Sequence, residues 1–138
     1  MVVTLLLVIT AVLWGATPIL EKIGLAKVDP LVGVTIRSSI VTAGLLILTL
    51  AMGKGKALLE VEAKAVFLFG ASGVMAGILA MWTYYTALKV GATSKIVPIS
   101  ACYPLVTVLL SALILREGIT FARVMGTALI VSGIWLVK

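Results

Sequence analysis

The sequence has no histidine and one cysteine, Cys102. Nothing in it suggests a transition-metal site, and no disulfide can form within the chain. Acidic residues are scarce: Glu21, Asp29, Glu60, Glu62 and Glu117 are all of them. None lies deep in an apolar run, whereas proton-coupled exporters of cations commonly rely on a buried carboxylate. There is no nucleophile–base constellation and no phosphate-binding loop. An enzyme is therefore not expected, nor is any cofactor or metal.

What the chain has in quantity is apolar surface. Its 138 residues are 62% hydrophobic and 12% charged, with a mean hydropathy of +1.29. No soluble domain of this size needs so much, so the composition is that of an all-α, multi-pass protein of the lipid bilayer. The net charge of +6 is not a nucleic-acid signature. The basic residues stand singly at the ends of apolar runs, where they anchor helices and set topology.

Five runs are long enough to span, at about 20 residues apiece: 2–23, 31–52, 65–88, 95–115 and 119–137. The opening MVVTLLLVIT has neither a basic start nor a small-residue cleavage site, and reads as a retained first helix. Turn chemistry separates the runs. Gly24 is expected to close the first helix as a left-handed cap. Asp29-Pro30 offers an N-cap and a first-turn proline to the second. Gly91 ends the third, Thr93 or Ser94 caps the fourth, Gly118 breaks after it, and Thr120 caps the fifth. The one long connection, 53–64, suits the membrane surface. All of this forms a single domain, 1–138.

Lys and Arg divide evenly between the two sides. Lys54, Lys56, Lys64, Arg116 and Arg123 share one, and Lys22, Lys27, Lys89, Lys95 and Lys138 the other. Orientation normally follows an imbalance. Two arrangements fit its absence: the chain inserts both ways and pairs with itself antiparallel, or a partner chain decides.

The second run, LVGVTIRSSIVTAGLLILTLAM, holds the one deep charge. Arg37 lies about 10 Å from its start at 1.5 Å per residue. Such an arginine must be paired, hydrated or snorkelling, and marks a functional site by default. Its face carries Gly33, Val41 and Gly44; the opposite face carries Thr35, Ser38, Thr42 and Thr49. The Arg37 face is the expected cavity face. The competing role for Arg37 is a structural ion pair with Glu21, which its length allows.

Two other helices carry polar stripes. In the first, Thr10, Trp14, Thr17, Pro18 and Glu21 share a face. In the fourth, Ser100, Pro104, Thr107 and Ser111 do, with Tyr103 beside them. Pro18 and Pro104 free carbonyls one turn back and are expected to kink their helices, as is Pro98. Such stripes serve either interhelical packing or a shared polar cavity. Gly70, Gly73 and Gly77 on the third helix suit close approach of a neighbour. Tyr85 stands just off that line, and Trp82 and Trp135 suit the interface. Trp14, Thr17, Tyr84, Tyr85, Ser100 and Tyr103 all come about as deep as Arg37. Apolar walls with a few placed polar groups describe a small-molecule site.

These residues resemble a known pattern. WGATPILEKIGL (14–25), DPLVGVTIRSSI (29–40) and the stretch from Tyr84 to Val137 with its Leu115-Arg116-Glu117 ending are similar to an EamA-type repeat of the drug/metabolite transporter superfamily. The resemblance implies a solute carrier, usually built from two inverted five-helix repeats around a central cavity. It implies cavity-side positions at Trp14, Pro18, Arg37, Tyr103 and Pro104. With one repeat here, it implies an antiparallel homodimer or a second EamA-type repeat as partner. The resulting expectation is alternating-access transport of a small metabolite, a neutral, zwitterionic or anionic solute such as an amino-acid-like one, across the cell (plasma or inner) membrane. Arg37 would hold an anionic group, Trp14, Tyr85 and Tyr103 would be walls, and Thr17, Ser100 and Thr107 would supply hydrogen bonds. The competing class is a non-transporting scaffold or half-subunit acting with another membrane protein.

Overall fold

The computed structural model describes residues 2–118 and 120–137, and every regular element among them is helical. The chain forms two compact units, 1–90 and 91–138.

The first unit opens with α1, Val2–Gly24. It runs through Pro18, the one buried residue among those described in the helix. The expected left-handed cap at Gly24 does not form, because the helical bonding simply continues: Leu25 N–H donates to Glu21 O at 2.9 Å. Helix α2, Pro30–Ala51, starts as the sequence dictates. The Asp29 carboxylate accepts from the Leu31 and Val32 N–H groups at 2.8 and 3.4 Å, and Pro30 occupies the first turn. Its end holds the left-handed glycine, Gly53 (φ 68°). There Lys54 N–H reaches Thr49 O at 3.0 Å and Gly53 N–H reaches Leu50 O at 2.9 Å, the two bonds of a Schellman motif. The long connection contains a short helix, α3 (Gly55–Leu59).

The third span, Ala63–Val90, is continuous but not uniform. It comprises α4 (Ala63–Ser72), a π-helical segment (Gly73–Ala80) and α5 (Met81–Val90). Where the wide turns give way to α5, the Thr83 hydroxyl donates to both Leu79 O and Ala80 O, at 3.0 and 2.9 Å. No other element comes within 4 Å of a Cβ built at Gly70, Gly73 or Gly77. The close approach predicted for that stripe occurs at Gly33 of α2 instead. The packed region explains why. Leu25, Val34, Tyr85 and Leu88 form the buried core, at the ends of the helices that flank the 25–29 connection and Val90. The glycine stripe lies several turns away from it.

The second unit holds α6 (Thr93–Ser100), α7 (Tyr103–Ile114) and α8 (Phe121–Val137), with α8 packed on both of the others. The fourth span is thus two helices broken at Ala101 and Cys102. Pro98 lies inside α6, but Pro104 sits in the first turn of α7 rather than mid-helix. A first-turn proline lacks only an N–H that would have no partner there. Ala92, not Thr93 or Ser94, occupies the N-cap of α6, without a side-chain bond. The chain reverses after α7 at Arg116 (φ 54°), two residues before the expected Gly118. Thr120 does cap α8, accepting from Arg123 N–H at 3.3 Å. The expected fifth run begins at Ile119, which lies outside the described residues, as does Lys138. Four stretches, Val2–Gly24, Pro30–Ala51, Ala63–Val90 and Thr93–Ile114, are long and apolar enough to cross a membrane. The fifth, α8, has 17 residues, the lower end of what a bilayer needs.

Candidate functional site

In the first unit, α1, α2 and α5 line an open cavity of about 410 Å³. Its walls are mostly aliphatic: Leu20 and Leu25 from the α1 side, Ile36, Ile40 and Val41 from α2. The polar groups are few and converge. Thr17, Glu21, Arg37 and Tyr85 all line it.

Glu21 is their meeting point. Arg37 Nε lies 3.6 Å from Glu21 Oε1, with the Arg37 side chain 44% exposed and that of Glu21 only 9%. Tyr85 Oη donates to the same oxygen at 2.9 Å. The arginine has thus reached back toward the helix end, as long cationic side chains do when their backbone lies deep. The ion pair weighed against a cavity role for Arg37 is real, and the pair is itself part of the cavity wall. A half-exposed guanidinium keeps its remaining N–H groups available. The Thr17 hydroxyl donates to Leu13 O at 2.8 Å, so toward a solute it can only accept.

The ring of Tyr85 is held tightly. A Cβ placed on Gly33 would lie 3.3 Å from Tyr85 Cδ2 and Cε2 and 3.3 Å from Leu25 Cδ2. Glycine at 33 therefore lets the tyrosine cross the face of α2 to reach α1. Around it the helix ends are tied by lysines. Lys22 Nζ donates to Leu88 O and Lys89 O at 2.6 and 3.0 Å, and Lys89 Nζ donates to Val28 O at 2.9 Å. The two Lys22 bonds satisfy carbonyls that the C-terminus of α5 leaves open, and the Lys89 bond ties down the 25–29 connection.

The other face of α2 also borders a concavity, a groove of about 600 Å³ bounded by Thr35, Ser38, Ser39, Thr42 and Ile78. Neither face of that helix is a plain lipid surface.

The structure brings together Thr17, Arg37 and Tyr85 of the predicted site residues. Trp14 is 67% exposed and does not line the cavity. Ser100, Tyr103 and Thr107 belong to the second unit. There Ser100 and Thr107 donate to Val97 O and Tyr103 O, at 2.8 and 3.1 Å, and Tyr103 is exposed. Thr107 borders a separate cavity of about 320 Å³ with Ser111, Glu117 and Arg123. Glu21, expected from the sequence only as a structural partner for Arg37, is the centre of the polar cluster. Its place near a helix end argued against it, while its position on the polar face of α1 was the available signal. Among the described residues, no three His, Cys, Asp or Glu side chains are grouped to hold a metal ion.

Apolar helices of spanning length, with a charged pair and hydroxyls gathered in a cavity between them, define a multi-pass membrane protein with a polar interior. The EamA-like transporter family pattern matches residues 1–138, and the chain belongs to that family. An uncharacterized protein of Methanocaldococcus jannaschii is 39% identical over 67 residues, 49% of this chain and 48% of that protein. The match thus spans about half the length of this relative. No solved structure matches the chain.

Proposed function

We propose that the protein transports a small zwitterionic metabolite by alternating access, with the solute bound in the α1/α2/α5 cavity. The observation that carries this reading is the Arg37–Glu21 pair on an otherwise aliphatic wall. An anion alone would meet Arg37 and be repelled by Glu21; a cation would meet the reverse. A solute bearing both a carboxylate and an ammonium matches both charges. The guanidinium fork suits a carboxylate, and a cavity of about 410 Å³ is within the range of small-molecule sites. Tyr85 and Thr17 complete the polar set. The even split of basic residues supports an antiparallel homodimer in the plasma or inner membrane, with the cavity near the repeat interface as in other inverted-repeat carriers.

The test is flux in proteoliposomes. Purified protein should exchange labelled leucine, and Arg37→Ala should abolish exchange while the protein still inserts and assembles. Undiminished flux in Arg37→Ala would remove the pair from the mechanism. Orientation is tested separately. With Cys102 replaced by Ala, a single cysteine added after Lys138 should be labelled from both sides of the membrane. One-sided labelling would sink the homodimer and direct attention to a partner repeat of opposite orientation.

A further inference from the structure

We infer that Tyr85 is the specificity-determining residue of this cavity: by fixing Glu21, it makes an ammonium group a requirement for the solute. The inference rests on the zwitterion reading above and assigns the selection to one hydroxyl that acts through a neighbour.

The argument begins with which oxygen is used. Tyr85 Oη and Arg37 Nε both address Glu21 Oε1. Among the described residues, a side-chain hydrogen bond reaches Glu21 at Oε1 and none at Oε2, and no buried side-chain oxygen or nitrogen lacks a hydrogen-bond partner. Oε2 is therefore not buried, and the space that Glu21 borders is the cavity. One oxygen is consumed by the protein; the other is offered to the solute. An ionised carboxylate oxygen with no donor is an acceptor for a cationic N–H group.

The second step is that the arrangement is rigid. The Tyr85 ring is 4% exposed and pressed against the backbone of α2 at Gly33. Its hydroxyl cannot follow Glu21 to another rotamer. Any rotation that turned Oε1 into the cavity would break the 2.9 Å bond. A phenylalanine would fill the same space and leave Glu21 held by Arg37 alone, at 3.6 Å and half in the open. Glu21 could then turn toward Arg37 with both oxygens and close the fork on itself. The acceptor for ammonium would disappear, and Arg37 would no longer be shared.

Tyr85 is thus a positioning residue, and its contribution should be visible as selectivity rather than as rate. The experiment uses the purified full chain in proteoliposomes. Leucine is set against 4-methylpentanoate, its counterpart without the amino group, each as a competitor of labelled leucine counterflow. The wild-type protein should prefer leucine. Tyr85→Phe should lose about tenfold of that preference, the low end of what a hydrogen bond to a charged group is worth, through KM and with little change in kcat. Glu21→Gln should lose the preference altogether, and adding Tyr85→Phe to it should change nothing more, because the tyrosine then has no carboxylate to hold. An unchanged leucine preference in Tyr85→Phe overturns the inference. So does a further rise of about tenfold in the leucine KM when Tyr85→Phe is added to Glu21→Gln, which would mark the tyrosine as a packing residue only. Failure of the underlying reading looks different: Arg37→Ala would keep full leucine exchange, or the wild-type protein would exchange no leucine or take both competitors equally.

Discussion

The two units treat serine and threonine hydroxyls alike, bonding them back to their own helices. They differ in whether side chains from several helices also converge. Both contain helices striped with hydroxyls and interrupted by proline. In the first, side chains from three segments converge: Glu21 from α1, Arg37 from α2 and Tyr85 from α5. In the second, Ser100, Thr107, Ser111, Thr127 and Ser132 return their protons to carbonyls three or four residues back in their own helices. A polar stripe becomes a site only where a facing element brings a group of complementary charge. Otherwise it does no more than satisfy itself locally, which costs little in an apolar medium.

The sharpest way to break this contrast is to remove its centre. Arg37→Ala should abolish solute exchange. It should lower stability by about 1–2 kcal/mol, since Glu21 keeps one donor and Arg37 was already half exposed. Flux and thermal unfolding in detergent give the two readouts. Next comes Gly33→Val. Its branched side chain would strike the Tyr85 ring and Leu25, with an overpacking cost of about 1–3 kcal/mol. Exchange should fall with it, and an unaltered unfolding temperature would contradict the packing described. Lys22→Ala should have a smaller effect, on the order of 1 kcal/mol, by exposing carbonyls at the end of α5; hydrogen exchange at that end of the helix should rise. Thr107→Ala should change unfolding least, within about 0.5 kcal/mol, because its hydroxyl bonds only within α7. A large loss of stability there would place the second unit in the same class as the first.

Much of the first unit could be read from residue types. Asp29-Pro30 specifies the start of α2 by itself, and a lone arginine in an apolar run announces a polar interior wherever the partner lies. Depth along a helix was the misleading measure for Glu21. It locates the backbone, while the arginine side chain carries its charge several ångströms toward the helix end. The tie from Tyr85 was out of reach for a related reason, since it depends on a glycine in another helix. Turn placement failed where two residues compete for the same role. Gly24 and Gly118 looked like reversals, yet Gly53 and Arg116 adopt the left-handed backbone. Arg116 does so at a steric cost of about 1–2 kcal/mol. The helical interruptions were half legible. Pro104 signalled a disturbance, but a proline that opens a helix and one that bends it have the same letter. The widened turns in GVMAGILA left no mark at all, because the stretch is as apolar as an ordinary span.

Those widened turns have a further consequence. A helix is a screw, and a π-helical stretch changes its phase: everything after Ala80 is rotated relative to where regular winding would have left it. The angular setting of Tyr85, and with it the bond to Glu21, is therefore written in the number of residues between Gly73 and Ala80. Removing one of them would turn α5 by about 100° and swing the tyrosine away without altering a single side chain of the cavity. The backbone of the third span acts as the timing gear of the site, and chain length, rather than chemistry, sets its register.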